Sequence, residues 1–521
     1  MSILALCAIA LVGILFVGVV YPVIVYFADE KGLRKYPAPS VAAFTPLWQM
    51  YHNWRGLKFL AVDRAHRELG EIVRISPNHI SFSNPAAFKD IYGHGTPIKK
   101  DVFYDNQAGG NPSMGDATDK EVHREKRKNL AAVFAAKHIT DVEPRVMEVV
   151  EKLVRDLQIK AAGGRVADTD RFPVGRDGVF DLRPWLNMFT YDAITNIFWS
   201  QSYGFLDRGD DVCLAENADG SVEKVHAMKT FHTNTAFSVL MGHMSPFWFD
   251  LWKNHLLGWT FHNQSGRLFV GMARYLAHRR LESPPPKPDL FSSLPTAPTP
   301  KRPVPMSERE ILAESSVMLN AGNDTTQTFL TNTMYELARN PSVQCKLRDL
   351  LRATLEPEGQ IPIATFENLQ RVPYLRAVID ESLRLHPPLG TGLPRLTERP
   401  TTIAGELVPA GVTVSAQTWS LHRNKNLFHD PESFVPERWL EDGGASTEEE
   451  RQNLKQFVQP FSQGPRACIG RNLAYMETSI CIAALVLAFE WELPQKGQKL
   501  RHHERFNCNP IDLPIRAKYL L

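Results

Sequence analysis

The sequence predicts a mainly α fold, a helical body with a small β region, preceded by an N-terminal transmembrane helix. Three observations carry this expectation. Stretches near 56–69, 119–135, 141–161, 184–200, 260–281, 307–339 and 372–386 repeat apolar residues at helical spacing. Strand-like runs are short and few. The segment from Ile3 to Phe27 contains no charged residue, and at about 1.5 Å rise per residue a helix of that length spans a hydrocarbon core roughly 30 Å thick.

Composition excludes several classes. With 43% hydrophobic and 22% charged residues over 521 positions, the chain can bury a large core and is not disordered. A net charge of +2 gives no sign of a nucleic-acid-binding surface. The six cysteines, at 7, 213, 345, 468, 481 and 508, form no C-x-x-C pair, which removes both a disulfide framework and zinc-ligand spacing. A reducing compartment fits them best.

Taken in order, residues 1–28 read as a membrane anchor. No basic region precedes the apolar run, and Lys31, Arg34 and Lys35 follow it as a stop-transfer flank. The positive-inside rule then leaves the body cytosolic, a single-pass arrangement. Residues 29–42 form a basic, proline-rich linker in which Tyr36-Pro-Ala-Pro-Ser40 is stiff and extended. The body is a single unit, 43–521. Within it Glu71 to Phe82 alternates apolar and polar residues, and Thr401 to Gln417 holds two β-rich runs around the Pro409-Ala-Gly411 turn. Ser283 to Pro305, rich in proline and serine, is a loop leading into the longest helix. That helix opens on the capping box Ser307-x-x-Glu310 and stops before Pro341. There is no internal repeat.

The segment that carries chemistry is Phe461-Ser-Gln-Gly464-Pro-Arg466-Ala-Cys468-Ile-Gly470, followed by a helical run through Leu487. A lone cysteine is normally a small buried hydrophobe, and Cys7, Cys213, Cys345, Cys481 and Cys508 are read that way. Cys468 instead sits where a turn enters a helix, so free N–H groups and the positive helix end can stabilise a thiolate. Gly464 and Gly470 let backbone approach a flat ligand, and Arg466 offers a cation to an anionic group at its edge. Together these suit haem.

The segment matches the F-x-x-G-x-R-x-C-x-G signature at every fixed position and thereby resembles the cytochrome P450 family. Ala321-Gly-Asn-Asp324-Thr325-Thr326 is similar to that family's oxygen-activation motif, and Glu381-Ser-Leu-Arg384 with Phe434-Val-Pro-Glu-Arg438 to its Glu-Arg-Arg triad. The resemblance implies that Cys468 is the axial thiolate of a haem b iron and that Arg466 pairs with a propionate. His123 and Arg127, in His123-Arg-Glu-Lys-Arg127, stand where many relatives have W-x-x-x-R, and Arg395 is a further propionate candidate. Phe461, Gly464 and Gly470 would shape the same cofactor site. Ala321 and Gly322 are expected to leave room above the haem. The Thr325 hydroxyl is expected to bond back four residues, and Asp324 with Thr325 to relay protons. Glu381, Arg384 and Arg438 are expected to pin the cysteine loop.

A thiolate opposite oxygen favours O–O cleavage, so the implied reaction is insertion of one atom of O2 into a small-molecule substrate. No Gly-rich dinucleotide fingerprint is present. Electrons are therefore expected from NADPH through a separate NADPH-cytochrome P450 reductase on the same endoplasmic reticulum membrane. A haem-thiolate isomerase or dehydratase, or a haem-based sensor, would not need the Asp324-Thr325 pair. Tyr92-Gly-His-Gly95, Asp101-x-Phe-Tyr-Asp105, Gly392-Leu-Pro-Arg395 and Arg466-Ala-Cys-Ile-Gly-Arg-Asn472 resemble fungal benzoate 4-monooxygenases. They imply a small aromatic or phenolic substrate, of cresol, hydroxybenzyl alcohol or benzoate type, in secondary metabolism; a larger terpenoid or polyketide is the alternative. Phe103, Tyr104, Ala321 and Leu393 are the expected substrate contacts, with Gly390 to Leu393 along one side of the cavity.

Overall fold

A computed structural model of the chain describes residues 16, 20–108, 111–296, 304–355, 363–443 and 446–521, without the side chains of residues 254, 261 and 263. The helices that carry the body are α1 (Lys120–Ala131), α2 (Glu143–Ala161), α3 (Arg183–Trp199), α4 (Ala227–Met241), α5 (Phe261–Glu282), α6 (Glu308–Arg339), α7 (Pro373–Leu385) and α8 (Arg471–Ala488). At 32 residues α6 runs about 48 Å through the molecule, and α3, α5, α7 and α8 all pack on it. Its start is fixed by reciprocal Ser307 and Glu310 side-chain bonds, as the spacing predicts. Such an axial helix needs apolar residues on every side, and Ile311, Leu319, Phe329, Leu330 and Met334 are buried around it.

The largest sheet of the β region has five strands, β1 (Ile72–Ser76), β2 (His79–Phe82), β3 (Ile98–Lys100), β4 (Arg395–Thr397) and β5 (Thr413–Ala416), in the order β1-β2-β5-β4-β3. Pro77 cannot donate a ladder hydrogen bond, so the alternating run from Glu71 to Phe82 folds into two strands rather than one. A hairpin of β6 (His502–Arg505) and β7 (Asn507–Pro510) lays β7 against α6. Periodicity did not reveal this hairpin, the hairpin over 212–226, or α4, whose apolar residues do not fall on one face.

Most of the expected anchor, 1–15 and 17–19, lies outside the described residues. Tyr21–Ala28 is helical with no buried residue. Among the described residues, α8 is the helix long and apolar enough to cross a membrane, but 78% of it is buried, which makes it a core element. The 29–42 stretch is docked on the sheet: Leu33 and Tyr36 are buried beside Ile80 and Val408, and Lys31 donates to Asn78 Oδ1 and Gly411 O.

Candidate functional site

The residues from Phe461 to Gly470 make a tight loop ahead of α8. Cys468 N–H donates to Phe461 O at 2.9 Å and Ala467 N–H to Gly464 O at 3.1 Å. Gly464 has φ +72°, and a Cβ there would lie 2.2 Å from the Tyr92 carbonyl oxygen, so only glycine fits. Gly470 differs. Its φ is −81°, and a Cβ would meet nothing nearer than Cys468 Sγ at 3.9 Å and Phe134 at 4.0 Å, so the missing side chain keeps the space beside the sulfur open. A cavity of about 280 Å³ lies there, lined by Arg127, Phe134, Phe461, Cys468, Ile469 and Asn472 among others. Cys468 is solvent-accessible because this cavity reaches it, yet it sits deep in the protein. Burial therefore raises the thiol, against the Gly470 N–H and the Arg127 and Arg471 charges, which favour the thiolate. Arg127, expected at a propionate, donates to Ala467 O at 2.7 Å and so lies on the cysteine loop.

The other basic candidates converge. Arg395 is buried, with Nη1 3.2 Å from the Tyr104 hydroxyl. Arg466 donates to the carbonyls of Ala117 and Asp119 at the edge of the same group. His123 is buried on α1 and pushed down to about 3 by burial and then by Arg466 and Lys100. Lys100, which the sequence did not single out as a cofactor contact, completes the set. The antiparallel β3–β4 register places it directly opposite Arg395, and its ammonium lies 4.3 Å from the Tyr104 ring centre. Burial lowers Lys100 to about 7, with Arg395 and Arg466 adding to the shift and Asp116 opposing it. Like charges facing across a sheet repel, and among the described residues none of Lys100, Arg395 and Arg466 has a carboxylate within 4.0 Å. This donor set suits a group carrying more than one anionic arm, as the propionates of haem do.

On α6, Thr325 Oγ1 donates to Ala321 O at 2.7 Å, the back-bond expected from the sequence. Ala321 is exposed although Asn323 and Asp324 beside it are buried, so this turn presents a small side chain to open space. Gly322 does not. A Cβ on it would come within 2.5 Å of Ile194, so its small size serves the contact between α6 and α3, a correction to the expected role above the haem. The Asp324 carboxylate is fully buried and engaged away from Thr325. Asn507 Nδ2 donates at 2.6 Å, Asn509 Nδ2 at 2.8 Å, and His232 Nε2 stands 3.5 Å away with Arg183 behind it. Burial would raise this carboxyl, but the bonds from His232, Asn509 and Asn507 outweigh it and hold it below the usual range.

Glu381 accepts from Arg384 Nε at 2.9 Å and Nη2 at 2.8 Å, from Arg438 Nε at 3.0 Å, from Trp439 at 3.0 Å and from Val435 N–H at 3.0 Å. Arg384 continues to the carbonyls of His422, Pro431 and Ser433. His422 carries the link to the cysteine loop. Its Nε2 accepts from Gln459 N–H at 3.2 Å, so Nδ1 holds the proton and donates to Arg384 O. Burial, then Arg384, pushes this imidazole down to about 3 and keeps it neutral.

Of the expected substrate contacts, Phe103 stacks on His243 at 4.6 Å and on Phe506 at 6.2 Å, and with Leu393 it lines a second, smaller cavity. Tyr104 belongs to the cation cluster through its hydroxyl. Gly390 packs on Cys508 and Phe59 instead of lining that cavity.

A sequence profile of the family described as "Cytochrome P450" matches residues 37–514. Benzoate 4-monooxygenase bphA of Aspergillus niger is 30% identical over 500 residues, 93% of each chain. Cytochrome P450 monooxygenase poxC of Penicillium oxalicum is 30% identical over 476 residues, 89% of this chain and 84% of that one. Cytochrome P450 monooxygenase btcC of Neocamarosporium betae is 29% identical over 491 residues, 90% and 88% of the two chains. Because the profile spans all but the ends of the chain and takes in the cysteine loop, α6 and the buried charge network, the protein belongs to the cytochrome P450 monooxygenase family.

Proposed function

We propose that the protein inserts one oxygen atom into a small aromatic or phenolic compound, with Cys468 as the thiolate that would hold the iron of haem b. The observation that carries this reading is the Cys468 sulfur bordering a cavity beside Gly470, with a nearby set of basic side chains, Lys100, Arg395 and Arg466, that has no carboxylate in contact among the described residues. Lys100, His123, Arg395 and Arg466 would hold the propionates, and Phe461, Gly464 and Gly470 would shape the cysteine loop. When bound, the haem supplies oxygen activation, which the thiolate biases toward O–O cleavage. The residues supply the rest. Arg127 and the helix end favour the thiolate. Thr325 engages its proton with Ala321 O, leaving its lone pairs to accept a hydrogen bond, and passes a proton by exchanging that bond. Asp324 would join the relay on turning from the Asn507 and Asn509 amides toward Thr325.

The aromatic reading is supported by the resemblance to benzoate 4-monooxygenase and by the aromatic stack at Phe103. Electrons are supplied by an NADPH-cytochrome P450 reductase. The 1–28 segment anchors the 43–521 catalytic domain in the endoplasmic reticulum membrane by a single pass. The reduced protein under carbon monoxide should show the red-shifted Soret band of thiolate-ligated haem. Cys468→Ala should abolish it and Cys481→Ala leave it unchanged, since Cys481 is buried within α8; a normal band in Cys468→Ala would refute the ligand. A panel of phenols, cresols, benzyl alcohols and benzoates should contain a ligand that perturbs the haem spectrum and is hydroxylated. Response to terpenoids or multi-ring polyketides alone would overturn the small-aromatic reading.

A further inference from the structure

Lys58 begins the helix Lys58–Leu69 and is 6% exposed, an unusual burial for a lysine. Among the described residues no carboxylate lies within 4.0 Å of its ammonium. Its side-chain partner is His243 Nε2 at 3.4 Å. Glu504 is the nearest opposite charge, but Thr391 Oγ1 bonds one of its oxygens and Phe59 N–H the other at 2.7 Å. His79, 6.4 Å from the His243 ring, is engaged by Ser415 at 2.9 Å. Both imidazoles are driven low by burial and then by Lys58, so they stay neutral beside it. A buried ammonium whose contact is a neutral ring has no carboxylate bonded directly to it, as such groups ordinarily do.

The ammonium lines the smaller cavity with Glu504, whose carboxyl burial raises, and with His243, Phe103, Leu393, Thr391 and Phe506. Its volume, about 30 Å³, admits roughly two water-sized groups, the size of a carboxylate and too small for a ring. Three of its walls are within one or two residues, along the chain, of groups in the candidate site. Phe103 precedes Tyr104 of the cation cluster, Leu393 lies two before Arg395, and Phe506 precedes Asn507, which bonds Asp324. A molecule with its polar end here would lie against the Phe103 and Leu393 walls, next to the Tyr104–Arg395 contact.

We propose that Lys58, assisted by His243, anchors a carboxylate on the substrate and makes the protein selective for aromatic acids over their neutral analogues. The inference rests on the aromatic reading above and narrows it. Burial lowers Lys58 only to about 8, so it remains largely cationic at neutral pH. A charge-assisted bond of this kind changes affinity by about tenfold to a hundredfold.

The test uses the haem-loaded full chain titrated with benzoate, 4-methylbenzoate, benzamide and benzyl alcohol, affinities being read from the haem difference spectrum and by calorimetry. The wild type should bind benzoate at least about tenfold more tightly than benzamide. Lys58→Met should collapse that ratio to near one, and Lys58→Arg should restore part of it. Equal binding of acid and amide by the wild type overturns the Lys58 assignment even if Lys58→Met fails to fold. An unchanged ratio in Lys58→Met does the same, and both results leave the aromatic reading standing. Failure of every monocyclic compound to bind overturns both.

Discussion

Glu381→Ala removes the acceptor of five donors at once and leaves two guanidiniums in a space where both are buried. The two do not suffer equally. Arg438 keeps Glu450 at 3.1 Å, whereas Arg384 is left with carbonyls alone. Breaking a buried pair from one side costs about 3–5 kcal/mol, because the remaining charge stays desolvated. Unfolding entropy of about 2.1 cal/mol/K per residue gives roughly 1 kcal/mol per degree for a chain of about 500 residues, so Tm should fall by roughly 3–5 °C. Glu381→Gln should cost less, since the amide oxygen still accepts. Burial tends to raise this carboxyl, but Arg384 and Arg438 outweigh it and hold the folded value below the ordinary 4.5. The ionic contribution is therefore present above 4.5 and lost as pH falls through the folded value, so wild type and Glu381→Gln should converge in acid. Thermal scans followed by circular dichroism and by the carbon monoxide band give both numbers. The network is linked to the cysteine loop through His422 and Gln459, so the thiolate band should disappear ahead of the helical signal. A Tm within one degree of wild type for Glu381→Ala, or simultaneous loss of both signals, would refute the pinning role.

Three further outcomes follow from the geometry. Gly464→Ala meets the Tyr92 carbonyl at 2.2 Å from a left-handed backbone and should sharply lower the haem-to-protein ratio of purified protein, while Gly470→Ala clashes with no protein atom and should fold normally, so haem loss there reports on the space beside the sulfur. Glu477, buried within α8, is pushed up to about 8 by burial; the folded state holds its proton longer than the unfolded, so stability should decline from about pH 4.5 to about 8, and Glu477→Gln should flatten Tm over that window. Thr325→Ala removes the hydroxyl bonded to Ala321 O, and hydrogen peroxide released per NADPH oxidised should rise as product falls; unchanged coupling would assign Thr325 a purely structural part.

The cysteine loop, the α6 turn and the Glu381–Arg384 pair were legible in the sequence because each is local. Glycines, a back-bonding threonine and an acid one helical turn from its base keep the same relation wherever the helix packs. The capping box at Ser307 and the helices carrying Glu381 and Cys468 follow from spacing in the same way. What the tertiary structure alone decided are relations across long stretches of chain. Lys100 joins the cation cluster only because β3 pairs with β4 in the register that sets it against Arg395. Asp324 faces Asn507 and Asn509, more than 180 residues on, instead of Thr325 beside it. Gly322 is small for Ile194, Tyr104 bonds Arg395, and Lys58 meets His243 while Glu504, its nearest opposite charge, is taken by Thr391 and Phe59. Hydrophobic periodicity specifies which face of an element is buried, but it carries no term for which distant polar group will be opposite; that is fixed by strand register and helix crossing, and these are settled only when the whole core packs.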